Sequence, residues 1–170
     1  MFTTSETPGT EVRSAFRSKW DWVITSQHSA AARYATIISN LLRSYTEPEK
    51  ATIDVIRSRI AGGLHRDAFT RLKTVIAISG DELSHVVGIP ARTVARRHLF
   101  KPDESERILR VASAFQRSIE VLGSLDKARR WFTSPKKALG GKTPLEFCDT
   151  DIGTEEVCNL LGRIEHGVFT

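Results

Sequence analysis

Gly80 to Phe100 reads GDELSHVVGIPARTVARRHLF, and the fold turns on how this stretch is taken. Two short helices held by a tight turn need a small shared core, a residue free to take a left-handed turn conformation, and a start for the second helix. All three are present in register. Leu83, Val87, Ile89 and Val94 supply the core, and Ser84 is small where the helices cross. Gly88 suits the turn and Pro90 the first turn of a new helix. The pattern is that of a helix-turn-helix whose second helix presents Arg92, Thr93, Arg96 and Arg97 outward. Arginine's planar fork matches the O6 and N7 acceptors of guanine and also grips phosphate. The same residues fit an ordinary helical hairpin with a solvated basic face, and Arg97 stands where an apolar residue often completes the motif's core. Turn glycine, helix-opening proline and clustered arginines together favour DNA binding.

The flanking sequence is helical on both sides, because apolar residues recur at helical spacing and no segment alternates as a strand does. Upstream, Ser29 to Arg43 places Tyr34, Ile37, Ile38, Leu41 and Leu42 on one face, with more apolar surface than one small domain needs, which predicts self-association. A helix then follows Thr46, whose TEPE start is a capping box. Gly62-Gly63 ends it, and Arg66 to Ile78 is amphipathic through Phe69, Leu72, Val75 and Ile76. Downstream, Pro102 to Leu122 carries a seam of Ile108, Ala112, Phe115, Ile119 and Leu122. Gly123 closes that helix, Ser124 caps a short one through Trp131 and Phe132, and Pro135 stops it. An all-α protein is expected, with Met1 to Thr10 disordered.

Length and composition set the outer limits. The chain has 170 residues, 40% of them hydrophobic, enough for one ordinary domain or two small ones. Its 25 basic and 20 acidic residues are unevenly spread. His85 to Lys137 holds 12 basic and 5 acidic residues, whereas Ala138 to Thr170 holds 2 basic and 6 acidic. One end attracts phosphate and the other repels it. Cys148 and Cys158 have no histidine at ligand spacing, so neither zinc nor a disulfide framework is indicated, and a reducing cytoplasm is expected. No apolar run approaches a membrane span, and the first ten residues lack the form of a signal peptide. The histidines are scattered and show no nucleophile, base and acid arrangement, which points away from an enzyme and from any cofactor or metal.

Ala138 to Glu146, ALGGKTPLE, imitates a phosphate-binding P-loop in its Gly-Lys-Thr. The position that such a loop needs as its first glycine is Lys136, and the preceding DKARRWFTSPKK is not a buried strand. Thr143, Pro144 and Glu146 instead make a capping box that opens a short helix through Cys148, with Gly140-Gly141 shaping its entry. A last helix is expected from Thr154, with Glu155 and Glu156 in its first turn and Arg163 and His166 in its last. Val157, Leu160, Leu161 and Ile164 form its inner stripe, and Gly167 stops it. Val168 and Phe169 are then free either to fold back on Leu161 and Ile164 or to reach a partner.

With those pieces in place, RTVARR, ALGGKTPLE and LLGRIEHGVFT resemble the Xre/MbcA/ParS antitoxin family of bacterial type II toxin-antitoxin systems. The likeness runs from about Ala51 to Thr170. It implies an Xre-like helix-turn-helix domain over 51–117 and a toxin-binding domain over 118–170, and leaves 1–50 outside it as an N-terminal helical extension. It also implies a RES-domain toxin as partner, similar to ADP-ribosyltransferases and acting on NAD, and repression of the pair's own operon through operator DNA. Carried onto this chain, the toxin-directed residues are Arg163, Glu165, His166, Gly167, Val168, Phe169 and Thr170. A homodimer is expected, since helix-turn-helix proteins commonly read two-fold half-sites. The competing expectation is a stand-alone transcription regulator whose C-terminal domain meets another partner.

Overall fold

The computed structural model describes Ser58 and residues 60–167. The expected helices over Ser29 to Arg43 and after Thr46 lie outside these residues, apart from a closing helical turn at Ile60 to Gly62, and with them the expected self-association surface. Gly63 then adopts φ +81°, and a Cβ there would meet the Phe100 carbonyl oxygen at 2.1 Å, so only glycine lets the chain turn this close to the end of the helix-turn-helix.

Helix α1, Arg66–Ile76, starts where the His65 ring accepts a hydrogen bond from the Asp67 N–H. It buries Ala68, Phe69, Leu72 and Ile76. The sequence pattern runs on to Ile78, but the helix stops two residues earlier because Ala77 takes a left-handed conformation at φ 67°, and the Ile78 N–H caps the Lys73 carbonyl. Helix α2, Gly80–Val86, opens with a reciprocal capping box between Ser79 and Glu82. Helix α3, Ala91–Arg96, follows after Gly88 turns at φ +61°.

The long helix α4, Pro102–Leu122, is the spine of the molecule. It buries Ile108, Leu109, Val111, Ala112, Ala114, Phe115 and Ile119 along its length. Gly123 ends it in the left-handed conformation, and α5, Leu125–Phe132, doubles back with Phe132 edge-on to Phe115 at 5.3 Å. A single 3-10 turn at Lys137–Leu139 leads to α6, Pro144–Phe147, and then to α7, Asp151–Glu165. Here the structure departs from the expected start at Thr154. Thr150 is the cap, its hydroxyl accepting from the Gly153 N–H at 3.1 Å, so α7 begins three residues earlier.

One hydrophobic cluster runs unbroken from Leu64 through Leu83, Ile89 and Phe115 to Val157 and Leu161. Each of the fully buried large side chains contributes about 1.5–3 kcal/mol by leaving water. Both halves of the molecule share this core, and α4 passes through it without interruption. The expected division at 117/118 therefore falls inside a continuous helix. Among the described residues no helix is long and apolar enough to cross a membrane.

Candidate functional site

At the N-terminal end of α4 stands the helix-turn-helix. Leu83, Val87 and Ile89 are fully buried, Ser84 is nearly so, and Val94 is half-buried against the cluster. The turn is closed by Ile89 N–H donating to the Ser84 carbonyl at 3.0 Å and Gly88 N–H to the His85 carbonyl at 3.2 Å. Pro90 precedes α3 and its carbonyl accepts from the Thr93 and Val94 N–H groups, so the new helix begins at once.

No residue of α3 is buried. Arg92 and Arg96 are exposed, Thr93 is half-exposed, and none of the three takes part in an ion pair among the described residues. A helix held by its two flanks and otherwise open to solvent is the shape that enters a major groove. Arg97 is placed differently from the sequence expectation. It lies past the helix end as the C-cap, in extended conformation, and its Nη1 donates to Glu104 Oε2 at 2.7 Å. Glu104 also accepts from the Lys101 N–H at 2.8 Å and is 8% exposed. Where an apolar residue often completes the motif's core, this chain uses a charge paired with a buried carboxylate.

The far end of the spine carries a different chemistry. Arg110 on α4 donates to Asp151 at 2.6 Å and to the Asp149 carbonyl at 3.2 Å, holding the start of α7. Seven residues on, Arg117 pairs with Glu165 in the last turn of α7. The order of these tethers sets α7 alongside α4 in the same sense. From Glu104 to Arg117 the spine advances by about 20 Å, at 1.5 Å per residue. The tip of α7 is thus held well away from α3.

Of the residues expected at that tip, Arg163 pairs with Glu156 on its own helix at 3.1 Å and Glu165 with Arg117. His166 is three-quarters exposed, with Nε2 4.0 Å from Glu165 Oε2, and Gly167 turns at φ +66°. Val168, Phe169 and Thr170 lie outside the described residues. Nearer the start of the acidic half, the Thr143 N–H and hydroxyl hold the Glu146 carboxyl below the usual carboxylate value. Burial pushes the Cys148 thiol up to about 12, which leaves it a packed core group rather than a nucleophile. No group of three or more histidine, cysteine or acidic side chains able to hold a metal occurs among the described residues.

Comparison with known proteins now bears on both ends. A family model for the antitoxin Xre-like helix-turn-helix domain matches residues 55–113, and one for the antitoxin Xre/MbcA/ParS C-terminal toxin-binding domain matches residues 118–167. An "Antitoxin Xre" from Yersinia enterocolitica serotype O:8 is 35% identical over 121 residues, covering 68% of this chain and 82% of that protein. The chain belongs to the Xre antitoxin family. A second "Antitoxin Xre", from Pseudomonas putida, is 31% identical over 124 residues, 71% of this chain and 77% of its own length. A third, from Photorhabdus laumondii subsp. laumondii, is 37% identical over 94 residues, 52% and 64% of the two chains.

Within this chain the helix-turn-helix and the toxin-binding domain are joined by residues that sequence reasoning missed. Arg110, Arg117 and Arg129 each bond a group at least 39 residues away, which leaves no local pattern to read. Arg97 with Glu104 was closer to view. A glutamate two residues after a helix-opening proline signals a cap, and an arginine just upstream is its natural partner.

Proposed function

We propose that the protein is the antitoxin of a two-component pair, neutralising a RES-domain toxin with the tip of α7 while α3 holds operator DNA. The observation that supports this best is the placement of two exposed ends on one rigid spine, a basic one at α3 and the clamped end of α7. In this reading Arg92, Thr93 and Arg96 face the major groove. Arg97 positions α3 through Glu104 and leaves contact with DNA to its neighbours.

At the other end, Arg163, Glu165 and His166 present the segment from Gly167 to Thr170 to the toxin's cleft. A phenylalanine such as Phe169 entering an apolar pocket contributes about 1.5–3 kcal/mol. The toxin's chemistry, NAD consumption of the ADP-ribosyltransferase kind, belongs to the partner, and no catalytic role falls to this chain. By binding its own operator the complex represses its operon.

Co-expression with a RES-domain toxin tests the proposal. Copurification and loss of NAD consumption are expected, and deletion of Gly167 to Thr170 weakens neutralisation while sparing folding and DNA binding. Full inhibition by the truncated protein overturns the role of the tip. Absence of any complex overturns the toxin assignment.

A further inference from the structure

Much of the positive charge between His85 and Lys137 lies beyond the helix-turn-helix. Leu125 to Lys142 holds six basic side chains against a single acidic one, Asp126. Arg129 is used internally, its Nε donating to the Val75 carbonyl at 2.7 Å, which fastens α5 to the end of α1. Lys127, Arg130 and Lys137 are exposed and make no ion pair among the described residues.

The loop that follows α5 is compact. The Lys136 N–H donates to the Lys142 carbonyl at 2.9 Å and the Gly141 N–H to the Lys136 carbonyl at 2.9 Å, across glycines at φ +64° and +84°. Lys136 lies over the Trp131 ring at 5.5 Å and Lys142 over the Phe147 ring at 5.9 Å. The ammonium groups therefore stand on a fixed turn. Because α5 runs back along α4, that turn is carried toward the helix-turn-helix and away from the tip of α7. Glu146, in the helix it opens, lies within electrostatic reach of both Lys142 and His85 on α2.

We propose that this turn, with Lys127, Lys137 and Lys142, is a second phosphate-gripping surface that flanks the helix-turn-helix and lengthens its footprint along the backbone of duplex DNA. The inference rests on the DNA-binding reading of α3. Lysine is a point charge that grips phosphate without reading bases, and it is depleted in protein-protein interfaces. Nucleic acid therefore suits this patch better than a toxin surface does.

The test uses the full chain and a duplex from the promoter region of its own gene, with binding measured by fluorescence anisotropy over a range of sodium chloride concentrations. Lys127→Gln/Lys137→Gln/Lys142→Gln is compared with Arg92→Ala/Arg96→Ala, with folding checked by circular dichroism. The lysine variant is expected to keep its preference over a scrambled duplex. Its plot of log affinity against log salt loses about 0.9 in slope for each phosphate contact removed. The arginine variant loses the preference itself. An unchanged slope in the lysine variant, with the arginine effect intact, overturns the second surface and leaves the helix-turn-helix reading standing. A lysine variant that binds DNA normally but copurifies poorly with toxin reassigns the patch to the protein partner. Absence of binding by the unaltered chain overturns both.

Discussion

Arg97 and Glu104 meet at 2.7 Å across the junction of α3 and α4, and the glutamate side chain is only 10% exposed. The pair fixes where the basic helix ends and the spine begins. Removing the arginine leaves a buried carboxylate with the Lys101 N–H as its remaining partner. Arg97→Ala should cost about 1–3 kcal/mol in urea unfolding, the penalty of an under-partnered buried polar group. Arg92→Ala, at a solvated position, should stay within about 0.5 kcal/mol. Equal losses in the two variants would show that the pair contributes nothing to the fold.

Gly153 in the first turn of α7 faces the carbonyl oxygen of Phe147, and a Cβ there would sit 2.0 Å from it. The neighbour is backbone, so it has little room to give. Gly153→Ala should lose about 1–3 kcal/mol, as overpacking does. Gly162→Ala meets open space in the same helix and should be neutral or better. Paired denaturation curves decide the matter.

The clamp from Arg117 to Glu165 steadies the last turn of α7. Arg117→Met keeps the apolar stem and removes the charge, so α4 should stay packed while the tip loosens. Toxin neutralisation should weaken by up to about fivefold, the scale of an exposed ion pair of about 1 kcal/mol, with DNA affinity unchanged. Neutralisation at full strength would assign the tip's posture to α7 alone.

Glu146 makes the stability depend on acid. Its carboxyl sits below the usual value of 4.5 because Thr143 hydrogen-bonds the charged form. A carboxylate whose folded pKa is depressed stabilises fully above the unfolded value, and that contribution is lost as pH falls through the folded one. The melting temperature should therefore drop as pH goes from 5 toward 3, and less steeply in Glu146→Gln. Parallel curves for the two proteins would remove the capping box from the acid response.

What could be read beforehand follows the range of each interaction. The limits of α4 were legible because Pro102 and Gly123 punctuate it locally, as were the cap at Ser124 and the capping box at Thr143. The start of α7 was not, because Gly153 looks like a breaker on the page. In three dimensions it is the residue small enough to let α7 approach α6, and Thr150 caps ahead of it. Likewise RTVARR shows Arg97 standing where an apolar residue is usual but not what it meets there, and only Glu104, folded back from the next helix, separates it from the exposed Arg92.

The spine that passes unbroken through the shared core also limits how such proteins are shuffled. A head and a tail that share one core along α4 cannot be traded by cutting between them. Any exchange of DNA preference between relatives has to carry the whole of α4 along, or arrive gradually, one surface arginine at a time.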